Sequence, residues 1–317
     1  MTHENKQPWL YILAGPTGVG KTTIALQLAR RLKAEIISAD SMQVYRQLSI
    51  GTAKPTRRER RGVPYRLIDC ADIDEPYDLA RFIREADEII RQATEHGRKI
   101  LIVGGTGLYI KGLLEGIFEE ETKNLKIRKS LYARMEKEGL SSLYQELASV
   151  DPAAAARITP GDRQRIVRAL EVYLATGVPI SALQEKSRRP APRYSHILVV
   201  LTRNREELYR RIETRVDEMF EAGLVDEVKN ILKAGFSREL HPLKALGYRE
   251  VIRALAGEWT LEKAREEMKK ATRRFAKRQF TWFKAMPQAE WLDLSLLTDD
   301  QALSHIEQIF QARRESK

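Results

Sequence analysis

An α/β fold is predicted from the sequence: a P-loop-type parallel sheet flanked by helices, with a helical insertion domain. Three observations predict it. Short apolar runs alternate with segments whose apolar residues recur at helical spacing. The motif Gly15-Pro16-Thr17-Gly18-Val19-Gly20-Lys21-Thr22 stands between the first such run and the first such helix. From about Gly116 to Pro192 the pattern is helical, with no convincing strand.

In chain order, the first strand is Trp9–Ala14 (WLYILA), stopped by Gly15-Pro16, and a helix follows over Thr22–Leu32 with Ile24, Leu28 and Leu32 on one face. A second strand is read at Glu35–Ala39, a helix at Leu79–Gln92, and further strands at Lys99–Val103 and His196–Thr202, with a weaker one at Ala289–Leu294. Strands that alternate with helices imply a parallel sheet covered on both faces. Within the insertion, Thr159-Pro160-Gly161-Asp162 reads as a helix start, with a capping Thr, a Pro at the first position and an acid behind it. Gly177-Val178-Pro179 reads as that helix's end. Ser187–Arg193 (SRRPAPR) is a Pro- and Arg-rich linker back to the sheet. The expected division is a discontinuous core of residues 1–115 and 193–317 around an insertion of residues 116–192.

Composition narrows the classes. The chain has 317 residues, 43% hydrophobic and 31% charged, so it has the apolar content for a core, unlike a disordered chain. Its length exceeds what a single core comfortably fills. Cys70 is the only cysteine, which excludes an internal disulfide and fits a reducing compartment and a buried position. The histidines at 3, 96, 196, 241 and 305 are scattered, so no zinc-type cluster is expected. Met1 to Pro8 lacks the charged and apolar regions of a signal peptide, and no apolar run approaches ~18 residues, so a cytoplasmic protein with no membrane partner is expected. The net charge of +11 admits nucleic acid, an anionic membrane or a small anion as partner.

The Gly-rich motif carries the first specific chemistry. Its glycines let successive N–H groups face one cavity, and the helix N-terminus behind them adds a positive dipole end. Lys21 supplies a full charge to phosphate oxygens, and the Thr22 hydroxyl can hold Mg²⁺. A P-loop nucleotidase normally adds an acid at the end of a later strand. Lys99–Val103 is followed instead by Gly104-Gly105-Thr106-Gly107. Glu35–Ala39 does end in Asp40-Ser41, at the sheet edge where ligands of open α/β sheets bind. Asp40 is there a candidate base, a magnesium-associated acid, or a residue that caps its own turn.

At this point the chain resembles the tRNA dimethylallyltransferases. The matching stretches are GPTGVGKT (15–22), ISADSMQVYRQLSIGTAKP (37–55), ILIVGGTGLYIKGLL (100–114), QRIVRALEVY (164–173), LYRRIETRVDEMFEAGLVDEV (208–228), LKALGYRE (243–250) and TRRFAKRQFTWF (272–283). The resemblance implies dimethylallyl diphosphate as donor, Mg²⁺ as cofactor, and the N6 amine of the adenosine 3′ of the anticodon, position 37 of a tRNA anticodon stem-loop, as acceptor. It implies that residues 15–22 hold the diphosphate, that Asp40 is the base, and that Thr106 contacts the diphosphate near the bond that breaks. It also implies tRNA contacts at Asp40, Ser41, Met42 and Gln43, at Thr106, at Arg128, and at Gln164, Arg165, Ile166, Val167 and Arg168.

The chemistry asks for these residue types. An allylic diphosphate reacts as positive charge builds on carbon and diphosphate departs, so Lys21, the loop N–H groups, Mg²⁺ on Thr22 and the Thr106 hydroxyl would stabilise the leaving anion. Arg211 and Arg215, on a helix from Glu206, are candidate further cations. The adenine amine is a weak nucleophile and needs a carboxylate to take its proton, and the base must leave its stack to be reached. From Lys263 to Lys284 the chain carries nine Lys or Arg and two acids. On a helix Lys270, Arg273, Lys277 and Lys284 share one face, a candidate tRNA surface, and Ala264, Met268, Ala271, Phe275 and Trp282 the other. Arg163, Arg165 and Arg168 form a second basic group. A monomer is expected. The rival readings are a small-molecule P-loop kinase, which would consume ATP, and a non-catalytic RNA-binding P-loop protein.

Overall fold

β1 (Trp9–Ala14) runs up the middle of a six-stranded, all-parallel sheet, and a computed structural model describes the protein over residues 8–117, 123–187 and 191–315. The N-terminal segment up to Gln7, with His3, lies outside the described residues, as do positions 188–190 of the Pro- and Arg-rich linker. After β1 come α1 (Lys21–Leu32), β2 (Ala34–Ser38), β3 (Tyr65–Arg66), α2 (Leu79–Glu95), β4 (Lys99–Gly104) and α3 (Gly107–Glu115). The chain then forms α4 (Leu125–Glu138), α5 (Leu140–Val150), α6 (Pro152–Ala155), α7 (Arg163–Thr176) and α8 (Ile180–Lys186). It returns with β5 (Ser195–Thr202), α9 (Arg205–Glu221), α10 (Leu224–Lys233), a 3₁₀ turn at His241–Lys244, α11 (Tyr248–Leu255), α12 (Leu261–Lys284), β6 (Ala289–Asp293) and α13 (Asp299–Glu315).

The strand order is β3-β2-β4-β1-β5-β6. β1 pairs with β4 on one side and β5 on the other, so the loop after β1 leaves the sheet where the connections change direction. Leu10, Ile12, Leu101, Ile102, Val199 and Val200 are all buried, on both pleat faces, as a parallel sheet between helix layers requires. Each such side chain stabilises the fold by about 1.5–3 kcal/mol. β3 was not predicted, because two residues are too few for a periodicity to register. The lone Cys70 is a half-buried free thiol.

Two compact units result, Met1–Leu114 with Tyr194–Lys317, and Glu115–Arg193. The second is a helical unit around Leu131, Leu143, Leu147, Ile166 and Leu170. Its helix α7 starts three residues later than the Thr159-Pro160 cue suggested. Asp162 N–H bonds Thr159 O at 2.9 Å in a turn, and the Asp162 side chain caps the helix by accepting from Arg165 N–H at 3.0 Å. Gly177, at φ 72°, ends α7. Among the described residues no single helix is long and apolar enough to cross a membrane.

Candidate active site

The Gly15–Thr22 loop is held from both sides. Gly15, at φ +148°, lies so close to β5 that a Cβ there would sit 2.6 Å from Leu201 O. From the other side Arg203 Nε donates to Val19 O at 2.9 Å and Arg211 Nε donates to Gly18 O at 3.0 Å. With these carbonyls tied to guanidinium groups, the loop has the polarity of an anion cradle. Lys21 begins α1, and its Nζ donates to Gly15 O at 2.8 Å and Pro16 O at 2.7 Å. Burial, and then the charge of Arg215, pushes the Lys21 ammonium down to about 7, against an opposing pull from Asp40. Burial likewise lowers Arg215.

Beside the loop, Gly104 packs so tightly on Ala39 that a Cβ would lie 2.1 Å from Ala39 O. Gln279 of α12 fills the next position: its Oε1 accepts from Thr17 N–H and its Nε2 donates to Gly105 O, both at 2.9 Å. Of the two glycines where a nucleotidase would carry an acid, Gly104 is a site of backbone approach and Gly105 is covered by the Gln279 side chain. Across that junction Asp40 Oδ1 accepts from Met42 N–H (2.9 Å) and Gln43 N–H (3.3 Å). Asp40 thus caps its own turn with one oxygen, and among the described residues no protein group bonds the other. The Thr106 hydroxyl accepts from Ser41 N–H at 3.1 Å, which anchors the same turn.

Loop, turn and α9 enclose an open cavity of about 820 Å³. Thr17, Gly18, Gly20, Lys21 and Thr22 line it from the loop, and Asp40 and Gln43 from the turn. On α9, Glu207, Arg211, Arg215, Glu218 and Ala222 line it at helical spacing, so one helix face runs along the cavity. The charge supplied is mixed: Lys21, Lys54, Arg210, Arg211 and Arg215 against Asp40, Glu59, Glu207 and Glu218. No group of three His, Cys, Asp or Glu able to hold a metal occurs among the described residues. A divalent cation would rest on the Thr22 hydroxyl and on oxygens of the ligand itself, a donor set that suits Mg²⁺, which binds through few protein groups plus phosphates.

Several expectations change. Gly15, Pro16 and Val19 do not line the cavity. The first two give their carbonyls to Lys21, and Val19 is core. Ser41, Met42 and Thr106 are half-buried at the cavity's edge and are not among the residues that line it. Ile166 and Val167 are buried in the helical unit's core, so their side chains are not available to RNA, whereas Gln164 and Arg165 are exposed. Arg128 and Arg168 both bond Glu171, at 2.6 and 3.0 Å. Burial would raise that carboxyl, and the bonds from Arg128, Asn124 N–H and Arg168 more than reverse it, leaving it below its usual range.

On α12, Ala264 and Met268 face inward as expected, but Ala276, Gln279 and Phe283 complete the buried face. Phe275 lines the cavity, and Trp282 packs on Gly107. Lys270 bonds Glu267 at 2.9 Å and Arg273 bonds Glu213, so these two cations are already paired. Lys277 is exposed, with Arg274 and Arg278 beside it, and none has an ion pair among the described residues.

Glu227 of α10 was given no role by the sequence reading. Its Oε2 accepts from Ser49 N–H (3.1 Å) and Ile50 N–H (2.8 Å), and its Oε1 from Gly51 N–H (3.3 Å) and the Tyr248 hydroxyl (2.6 Å). Ser49, Ile50 and Thr52 line the cavity, so this carboxylate shapes its wall. Glu227→Gln places an N–H donor against other donors. We expect a loss of about 1.5–3 kcal/mol, read as a lower urea midpoint at unchanged slope; an unchanged midpoint would remove the clamp. A carboxylate and a tyrosine in separate matching stretches were the available signal, but only their meeting point shows the loop they hold.

Comparison with known proteins places these features in a group. The model described as IPP transferase matches residues 43–286, and that described as Isopentenyl transferase matches residues 8–75. The chain is 48% identical over 282 residues to a tRNA dimethylallyltransferase of Syntrophobacter fumaroxidans, spanning 89% of this chain and 82% of that one. It is 42% identical over 307 residues to one of Pelotomaculum thermopropionicum, spanning 96% of each. Its fold is similar to the crystal structure of a full-length tRNA isopentenylpyrophosphate transferase of Bacillus halodurans, with TM-score 0.74, 38% identity and 98% of each chain covered. It is also similar to a eukaryotic dimethylallyltransferase captured in crystallographic snapshots acting on tRNA, with TM-score 0.80, 29% identity, and 94% of this chain and 77% of that one covered.

Proposed function

The chain belongs to the IPP transferase family of tRNA dimethylallyltransferases, and on that premise we propose that it moves the dimethylallyl group of dimethylallyl diphosphate onto N6 of the adenosine at position 37, 3′ of the anticodon, in tRNA. One observation carries the reading: the anion cradle with Lys21 and the carboxylate of Asp40 line the same cavity. In the reaction the allylic C–O bond breaks, its electron pair leaves with diphosphate, a C–N bond forms, and the displaced N6 proton passes to Asp40. Lys21, Arg215 and the loop N–H groups bind the diphosphate and stabilise the departing charge. Arg211, tied to Gly18 O, braces the loop and adds its charge to the same end. Thr106 fixes the Asp40–Ser41 turn and keeps its own O–H proton for an oxygen at the breaking bond. The Thr22 hydroxyl would hold Mg²⁺, which when bound would supply further neutralisation of the leaving group.

For the RNA we assign Asp40 and Gln43 in the cavity, Lys277 on α12, and Gln164, Arg165, Arg168 and Arg128 in the helical unit, with residues 116–192 as the tRNA-contacting insertion. We assign the protein to the cytoplasm, as a monomer. The kinase alternative is disfavoured by the packing at Gly104, where the Ala39 backbone leaves no room for an acid's side chain. The test is incubation with unmodified tRNA, dimethylallyl diphosphate and Mg²⁺ without ATP. The expected result is a hydrophobic adenosine and free diphosphate, both lost on chelation with EDTA. Transfer that needs ATP, or tRNA binding without product, would overturn the reading.

A further inference from the structure

The segment Thr56-Arg57-Arg58-Glu59-Arg60-Arg61 is a braced helical turn. The Glu59 carboxylate accepts from Thr56 N–H at 2.7 Å and Thr56 Oγ1 at 2.8 Å, and Arg60 N–H bonds Thr56 O at 3.0 Å. From α1, the Arg30 guanidinium donates to Glu59 O at 2.7 Å and Arg61 O at 3.4 Å. Of the turn's arginines, Arg60 alone points inward, pairing with Asp69 at 3.0 Å. Arg57, Arg58 and Arg61 are exposed, and none has an ion pair among the described residues. Arg81, Arg91 and Arg134, by contrast, each bond two glutamates.

At spacings of i, i+1 and i+4 the three unpaired cations share one side of the turn, where they repel each other. The one acid among them, Glu59, gives its carboxylate to Thr56 and forms no ion pair with them. The turn's other residues face the site: Thr56 and Glu59 line the cavity that holds Asp40. The exposed neighbours Thr56, Gly62 and Pro64 offer no large apolar side chain, so the patch lacks the anchor of a protein interface. Planar guanidinium forks fit phosphate oxygens.

Resting on the reading that a tRNA base enters this cavity, we propose that Arg57, Arg58 and Arg61 bind backbone phosphates of the tRNA strand at the cavity mouth. The base cannot reach Asp40 without bringing its flanking phosphates to the rim, and this turn is part of that rim.

The test compares wild type with R57Q/R58Q/R61Q and with R57K/R58K/R61K in tRNA binding at several salt concentrations and in steady-state transfer. Neutralising the turn should reduce the slope of log affinity against log salt by about 2–3 and raise the KM for tRNA on the order of tenfold at physiological salt. The KM for dimethylallyl diphosphate and kcat at saturating tRNA should stay unchanged, and the lysine triple should recover most of the slope. An unchanged slope in the glutamine triple, with wild type still active, would overturn this assignment and leave the proposed function standing. Absence of transfer by wild type would overturn the function and this surface with it.

Discussion

Asp40→Asn should lower kcat by about 10²–10⁴, the usual contribution of a positioned base, while leaving the KM of both substrates within a few-fold. The asparagine is the sharper variant because Oδ1 also accepts from Met42 and Gln43 N–H. An amide oxygen can keep both bonds and so preserve the turn, but it cannot accept the N6 proton. Asp40→Ala should lose the same rate and loosen the turn as well. It should still bind tRNA, because Asp40 is one contact among many. The measurement is single-turnover transfer with both substrates saturating. Full turnover in the asparagine variant would remove Asp40 from the base role and leave it as the cap of its own turn.

Lys21→Ala should reduce kcat/KM by about 30–1000-fold, the loss of about 2–4 kcal/mol expected when a buried charge-assisted contact to a developing anion is removed, and should raise the donor KM. The structure adds a pH signature. The free protein's Lys21 titrates at about 7, so near neutrality a large fraction is uncharged and hydrogen-bonded to the loop. A bound diphosphate favours the charged form and raises that value, so binding takes up a proton. Donor affinity is therefore greatest just below pH 7 and weakens as pH rises above it, by up to about tenfold per unit. The terminal phosphate, with its second pKa near ~6, is already ionised there, which leaves the dependence to Lys21. Lys21→Arg keeps its charge throughout and should flatten the profile. A donor KM unmoved in the alanine variant would mean that the loop holds something else.

The fold was legible wherever an element repeats a period. β1, β2, β4 and β5 are apolar runs between turn residues, and the loop motif places the start of the first helix within one residue. β3 was not legible because its two residues are placed by pairing with β2 rather than by their own pattern. The face of α12 differs from its pattern at Phe275, and Gln279 has no signal of burial, for a related reason. Hydropathy expects the aromatic inside and the amide outside, but Gln279 is buried because Thr17 N–H and Gly105 O satisfy it. Ile166 and Val167 stand in the same stretch as Gln164 and Arg165, and helical rotation alone separates core from surface there.

By itself the sequence determined the chemistry available: a phosphate loop with its lysine, a carboxylate at the end of the next strand, no nucleotidase acid, and a resemblance that names donor and acceptor. These are local properties, carried by residues adjacent in the chain. What only the tertiary structure decided is which of those groups are free to act. Lys270 and Arg273 are committed to Glu267 and Glu213, and Arg128 and Arg168 are held in place by Glu171, while among the described residues Arg57, Arg58, Arg61 and Lys277 have no ion pair. A charge is most available for a partner where the fold brings no opposite charge to it, and meetings such as Arg128 with Glu171 and Arg273 with Glu213 join residues far apart in sequence.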